Sequence, residues 1–183
     1  MTRRSLLGGA LVGIGLAAFV DEVVFHQLLH WHHFYDKASS AAGLVSDGIF
    51  HAFGWAAMVT GLFVYADLRR RDARSPRAWW AGTCLGVGGF QLYDGTFQHK
   101  ALGLHQIRYG VDLTPYDLTW NVIAVLFLLT GAVLLLRIRR ARAGTRAAGA
   151  KSRAAGAKSR EAGAKSREAG ARNREAGAGT RQP

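Results

Sequence analysis

The chain is poor in the residues on which many catalytic and disulfide-built domains depend. Among its 183 residues there is one cysteine, Cys84. A disulfide within the chain is therefore excluded, and so is a thiolate cluster of the kind that favours structural zinc or cuprous ions. A lone cysteine in an apolar stretch is by default a small packing residue. No HExxH, GxSxG or P-loop pattern occurs, which removes the motif basis for metalloprotease, α/β-hydrolase and P-loop nucleotide chemistry. The connections between apolar stretches are too short to form a separate substrate domain.

Net charge is also low until the end of the chain. Residues 1–136 carry 10 Lys/Arg against nine Asp/Glu, whereas residues 137–183 carry 14 Lys/Arg against three Glu. The overall charge of +12 thus belongs almost wholly to the tail. From Arg146 the tail repeats every seven residues, from RAAGAKS to REAGAGT, with no Leu, Ile or Val at any position. Such a heptad has no seam to bury, and a glycine in each unit weakens a helix. The expectation is a disordered or low-complexity basic appendage, residues 141–183, lying against anionic lipid headgroups. Nucleic acid is a poor partner for it, because the tail has no aromatic residue to stack on bases.

What the chain has in abundance is apolar length. Four stretches, Leu6–Phe34, Gly48–Leu68, Trp79–Leu102 and Asp117–Leu136, meet the roughly 20 residues that a bilayer crossing needs. The expected fold is all-α, a four-helix transmembrane bundle over residues 1–140. Arg3 and Arg4 precede the first stretch, five arginines from Arg69 to Arg77 fill the second connection, and Arg137, Arg139 and Arg140 follow the fourth. The positive-inside rule then places both termini in the cytoplasm and the histidine-rich ends outside. The start, Thr2-Arg3-Arg4-Ser5-Leu6-Leu7, also has the form of a secretory signal. An uncleaved span is favoured, because no clean A-x-A site follows and the apolar pattern continues to Leu29.

Against this background the seven histidines stand out, all between residues 26 and 105. His26, His30, His32 and His33 close the first stretch, and Asp47 and His51 open the second. Asp94, His99 and His105 close the third, while Asp117 and Asn121 open the fourth. In helices that alternate in direction these are one end in space. Asp21, Glu22, His51, Asp94 and Asn121 fall about a turn deeper than the rest. Glu22, His26, His30 and His33 recur at helical spacing, as do Asp47 with His51 and Asp117 with Asn121. His99 stands five residues from Asp94 and points aside in a regular α-helix.

Ionisable groups buried in a membrane are costly, so a convergent set of them marks a functional site. Three chemistries suit this one. Imidazole and carboxylate ligands fit a transition metal, copper or zinc foremost and ferrous iron as well. Two histidines from different helices fit a haem. A metal-free Asp–His network fits a structural or proton-relaying role. The primary ligand set expected is His26, His51, His99, Asp47, Asp94 and Glu22, with His30, His33, His105, Asp21, Asp117 and Asn121 secondary. A metal-bound water with Glu22 or Asp94 as base would make the site hydrolytic, but a handling or sensing role is equally economical.

The stretches VDEVVFHQLLHWHHFYD, SDGIFHAFGW and FQLYDGTFQHKALGLHQIRYGVDLTPYDLTWN resemble a bacterial family of small four-span membrane proteins catalogued as domain of unknown function 2243. The resemblance covers about residues 10–136 and leaves out the tail. It implies that His26, His32, His33, Asp47, His51, Asp94, His99 and His105 are characteristic positions. The family pattern admits Glu in place of Asp94 and His in place of Lys100 and Gln106, so the last two are not obligatory ligands here. The resemblance brings no activity. An association of members with cytochrome oxidase assembly genes would tilt the metal toward copper and the partners toward respiratory oxidase assembly factors.

Overall fold

Residues 2–178 are described by a computed structural model, and among them every regular element is helical. Helix α1, Thr2–Asp21, runs without a break into a π-helical turn pair, Glu22–Leu28. Helix α2 spans Ser40–Arg70, capped by Ser39, whose hydroxyl accepts from the Ala42 amide. Helix α3, Pro76–Tyr93, begins on proline, whose fixed φ suits a first turn. It too passes into a π-helical segment, Asp94–Ala101. Helix α4 is Thr114–Ala178.

Two compact units divide after Ile138. The second is the heptad-repeat segment, low in complexity as its sequence reads, and it is helical to Ala178. Alanine, arginine, lysine and glutamate are the strongest helix formers and outweigh one glycine per heptad. An i,i+4 pair of Glu161 with Lys165, 2.8 Å apart, adds to this. Its side chains are exposed through Lys165, consistent with a repeat that has nothing to bury.

The first unit is turned inside out relative to a water-soluble bundle. Leu7, Ile49, Phe63, Leu118 and Leu126 face outward, while Ser5, Asp21, Glu22, His26, Asp47, Asp94, His99 and His105 are buried. Three helical stretches, Thr2–Leu28, Ser40–Arg70 and Thr114–Lys165, are long and apolar enough to cross a membrane. The distribution is that of a protein whose outer solvent is lipid.

Small residues set the packing. A β-carbon at Gly9 or Gly13 would overlap the carbonyls of Trp79 or Thr83, and one at Gly82 or Gly86 those of Leu6 or Ala10. The rising order of these contacts makes α1 and α3 parallel, back to back on two small-xxx-small ridges. Helix α2 returns antiparallel along α1, with Gly15 against Gly54 and Met58 and Gly61 against Gly8 and Val12. Helix α4 returns along α3 in the same manner, with Gly88 against Ala124 and Leu128 and Gly131 against Ala81 and Leu85.

These contacts expose an internal repeat. Gly9, Gly13, Gly15, Asp21, His26, Leu29 and His32 have identical residues 73 positions later, at Gly82, Gly86, Gly88, Asp94, His99, Leu102 and His105. The backbone follows the same offset. Leu29 N bonds Val24 O and Trp31 N bonds Phe25 O, while Leu102 N bonds Phe97 O and Leu104 N bonds Gln98 O. Both helical ends then leave through a left-handed residue, His30 at φ 50 and Gly103 at φ 55. In the returning helices the offset falls to 70, pairing Asp47 with Asp117 and Gly61 with Gly131. Two parallel repeats of this kind are related by an axis along the membrane normal.

Candidate functional site

The buried histidines and carboxylates gather at the end of α1 and α3 remote from the N-terminus. The two π-helical segments aim them. Their ladder closes over five residues instead of four, which brings a side chain at i+5 onto the face of residue i. Asp94 Oδ2 consequently lies 3.1 Å from His99 Nε2, and Asp21 Oδ2 lies 3.8 Å from His26 Nε2. The five-residue spacing that seemed to turn His99 aside is what the local helix requires.

Four imidazoles form the centre. His26, His32, His99 and His105 are each no more than 5% exposed. His26 and His32 have ring centroids 4.4 Å apart, and His99 and His105 have theirs 4.7 Å apart. The cross pairs, His26 with His105 and His32 with His99, are at 6.2 and 6.1 Å. This near-equality is the repeat expressed at the level of rings.

The tautomers of two follow from their partners. His32 Nδ1 lies 3.0 Å from the Ile107 carbonyl, and His105 Nδ1 lies 2.9 Å from the Phe34 carbonyl. A carbonyl only accepts, so each Nδ1 carries a proton and each Nε2 is turned inward. The Nε2 atoms of His26, His32, His99 and His105 are all buried without a hydrogen-bond partner. Buried polar atoms are rarely left so. Asp94 Oδ2 is likewise unpartnered, and Asp94 Oδ1 sits 3.6 Å from His105 Nε2.

A surrounding layer holds these groups in place. Asp47 accepts from His26 Nδ1 at 3.0 Å, from His33 Nδ1 at 2.6 Å and from the Phe34 amide at 2.7 Å. Glu22 Oε2 lies 3.0 Å from His26 Nδ1, and Glu22 Oε1 accepts from Gln27 at 2.7 Å. In the other repeat Asp117 stands where Asp47 does, 4.0 Å from His99 Nδ1, and is held by Lys100. Geometrically, three residue sets could grip a cation: Asp21, His26 and His32; His32, His99 and His105; and Glu22, His26 and Asp47.

Of the primary set read from sequence, His26, His99, Asp94, Asp47 and Glu22 come together here, and His51 does not. Its ring is exposed and packs on Phe19, 5.8 Å between centroids. The inward face of α2 is set by Asp47, Phe50, Gly54 and Gly61, and at about 100° per residue His51 lies roughly 70° from its middle. His30 is also corrected: the helix has ended at Leu28, and the left-handed turn leaves the side chain in the open. Asn121 stays outside the centre, its amide bonded to the Asp117 carbonyl of its own helix. His33 and Asp117 belong to the surrounding layer, whereas Asp21 and His105 move to the middle. His32, absent from both ligand sets although the family resemblance marks its position, is the residue that reading by helical spacing missed. The repeat would have found it, since D-x4-H-x5-H occurs at Asp21, His26, His32 and again at Asp94, His99, His105.

Apolar helices around a buried histidine and carboxylate centre define a helical membrane protein with a polar site sunk into one end. The chain belongs to the DUF2243 family, described as predicted membrane proteins, which matches residues 8–138. No curated protein and no solved structure matches it. The family match ends where the first compact unit ends, and the basic segment lies beyond it.

Proposed function

We propose that this is a four-span inner-membrane protein of bacteria whose buried centre binds a transition metal, copper or zinc, in metal handling or respiratory oxidase assembly. One observation carries the reading: four buried imidazole nitrogens that make no hydrogen bond converge beside Asp21 and Asp94, three of them within 4 Å of a carboxylate oxygen. Nitrogen and carboxylate donors suit divalent zinc, copper or iron. The Nδ1–H bonds of His32 and His105 to carbonyls are the outer contacts that orient metal-binding imidazoles. A haem is a poorer fit, because the four rings already lie within about 6 Å of one another and leave no slot for a macrocycle. In this reading the arginines at the helix ends keep both termini in the cytoplasm, and the basic segment lies on anionic headgroups.

A second reading, a metal-dependent enzyme acting on a lipophilic molecule, draws on one feature. A groove of about 850 Å3, lined by Phe25, Trp31, Tyr116, Trp120 and Phe127 among others, reaches Asp21. The test of the main reading is elemental analysis of the full chain purified in detergent. A stoichiometric metal lost in His99→Ala is expected. A metal-free protein that is folded and stays empty on addition of zinc or copper rejects it.

A further inference from the structure

The duplicated donor set says more than that a metal binds. We propose that the centre holds two divalent transition-metal ions, one per repeat, with Asp21, His26 and His32 gripping one and Asp94, His99 and His105 the other. The inference rests on the metal reading above.

Three observations lead to it. First, each repeat supplies two histidines and one carboxylate at identical spacing. Asp21, His26 and His32 form one of the three sets above, and the Asp94 oxygens stand 3.1 Å from His99 Nε2 and 3.6 Å from His105 Nε2. Two histidines with a carboxylate are sufficient to hold a ferrous-type or zinc ion. A site for one ion on the axis would need only half of it. Second, the buried carboxylates have no fixed cation beside them. Asp21, Glu22, Asp47 and Asp94 are each no more than 3% exposed. Among the described residues their ion-pair partners are histidines, never lysine or arginine. Buried oxygen donors grouped with imidazoles are the ligand supply that divalent transition metals use. Third, His32 lies within ligand distance of both groups, close to Asp21 and His26 on one side and to His99 and His105 on the other. The two positions are therefore adjacent, as in two-metal sites whose ions stand about 3.5–4 Å apart.

The surrounding layers differ, and this distinguishes the two ions. His26 is backed by Glu22 and Asp47, whereas the corresponding His99 has Gly95 in place of Glu22 and an Asp117 already held by Lys100. The first position is the more negative and binds the tighter ion.

The experiment uses the full chain in detergent with His30→Ala and His51→Ala, which removes two exposed imidazoles that would bind copper nonspecifically. The protein is stripped with chelator and titrated with Zn2+ for counting and Cu2+ for paramagnetic resonance. Two ions per chain in two affinity steps, with a spin-coupled signal at two Cu2+, is the expected result. Asp94→Asn should bind one ion and give an isolated Cu2+ spectrum. One ion per chain with an isolated spectrum at saturation overturns the two-ion centre and leaves the metal reading standing. No ion of either kind overturns both.

Discussion

The rings of His32 and His105 lie face to face, 4.6 Å between centroids and 5° between planes, and each donates its Nδ1 proton into the opposite repeat. His32 bonds the Ile107 carbonyl and His105 bonds the Phe34 carbonyl. The exchange ties together two loops that also meet through the Asp36 amide, which donates to the Leu104 carbonyl, and through Arg108 over the Trp31 ring. It also fixes which nitrogen of each ring is free, so structure and chemistry depend on the same two bonds.

Replacing either member should therefore act twice. His32→Ala or His105→Ala removes a buried ring and orphans a buried carbonyl, a combined loss of roughly 2–4 kcal/mol. Thermal unfolding in detergent should show the two variants to be similarly destabilised. His32→Gln, which can still donate to the carbonyl, should recover much of the stability and none of the bound metal. Full metal content in that variant would show that His32 serves the fold alone.

How much of this was legible beforehand depends on the level. Apolar length and basic connections were enough for an all-helical membrane architecture, and alternation of direction was enough to bring Asp47, Asp94, His26 and His99 to one end. Individual directions failed where the helix stopped being α-helical. A regular α-helix carries Glu22, His26, His30 and His33 along one stripe. The π-helical segment and its left-handed exit discard His30 and turn His32 inward instead. His51 failed for another reason: pairing it with Asp47 by spacing ignored the glycines that decide which side of α2 touches α1. The repeat itself is faint because its 73-residue offset drops to 70 in the returning helices, so a single register never aligns both halves.

Those glycines yield a sharper test. Leucine at Gly13 or Gly86 would drive a side chain into the backbone of the facing helix, and a parallel pair at this distance has no room to relax. Loss of folded protein, or several kcal/mol of stability, is the expected outcome. Gly89 and Gly48 have open space at their β-carbon positions, so alanine there should be neutral or slightly stabilising, by up to about 1 kcal/mol. Equal damage at all four positions, read by size-exclusion recovery and melting temperature, would mean that close helix approach is not what these residues provide.

Histidines close in sequence should separate cleanly by function. His51→Ala should retain metal and stability, because the exposed ring contributes only a tilted ring contact with Phe19. His26→Ala should lose metal at the first repeat and leave Glu22 and Asp47 facing each other across a void with no donor between them. Elemental analysis of the two variants side by side checks this, and metal loss in His51→Ala would restore that residue to the centre.

The turn at His30 offers a test that does not involve metal at all. Its φ of 50 puts a branched side chain in a region that glycine occupies without penalty, and the matching position in the second repeat is Gly103, at φ 55. His30→Gly should therefore stabilise the folded protein by about 0.5–1 kcal/mol, as far as relieved backbone strain exceeds the greater freedom of the unfolded chain. Gly103→Ala should destabilise it by about 1 kcal/mol. Because the His30 ring is exposed, the first change should leave metal content untouched. Melting curves that move in opposite directions for the two substitutions would show that the repeats share one backbone solution for leaving the π-helix. A loss of stability in His30→Gly would show instead that the imidazole supports the turn.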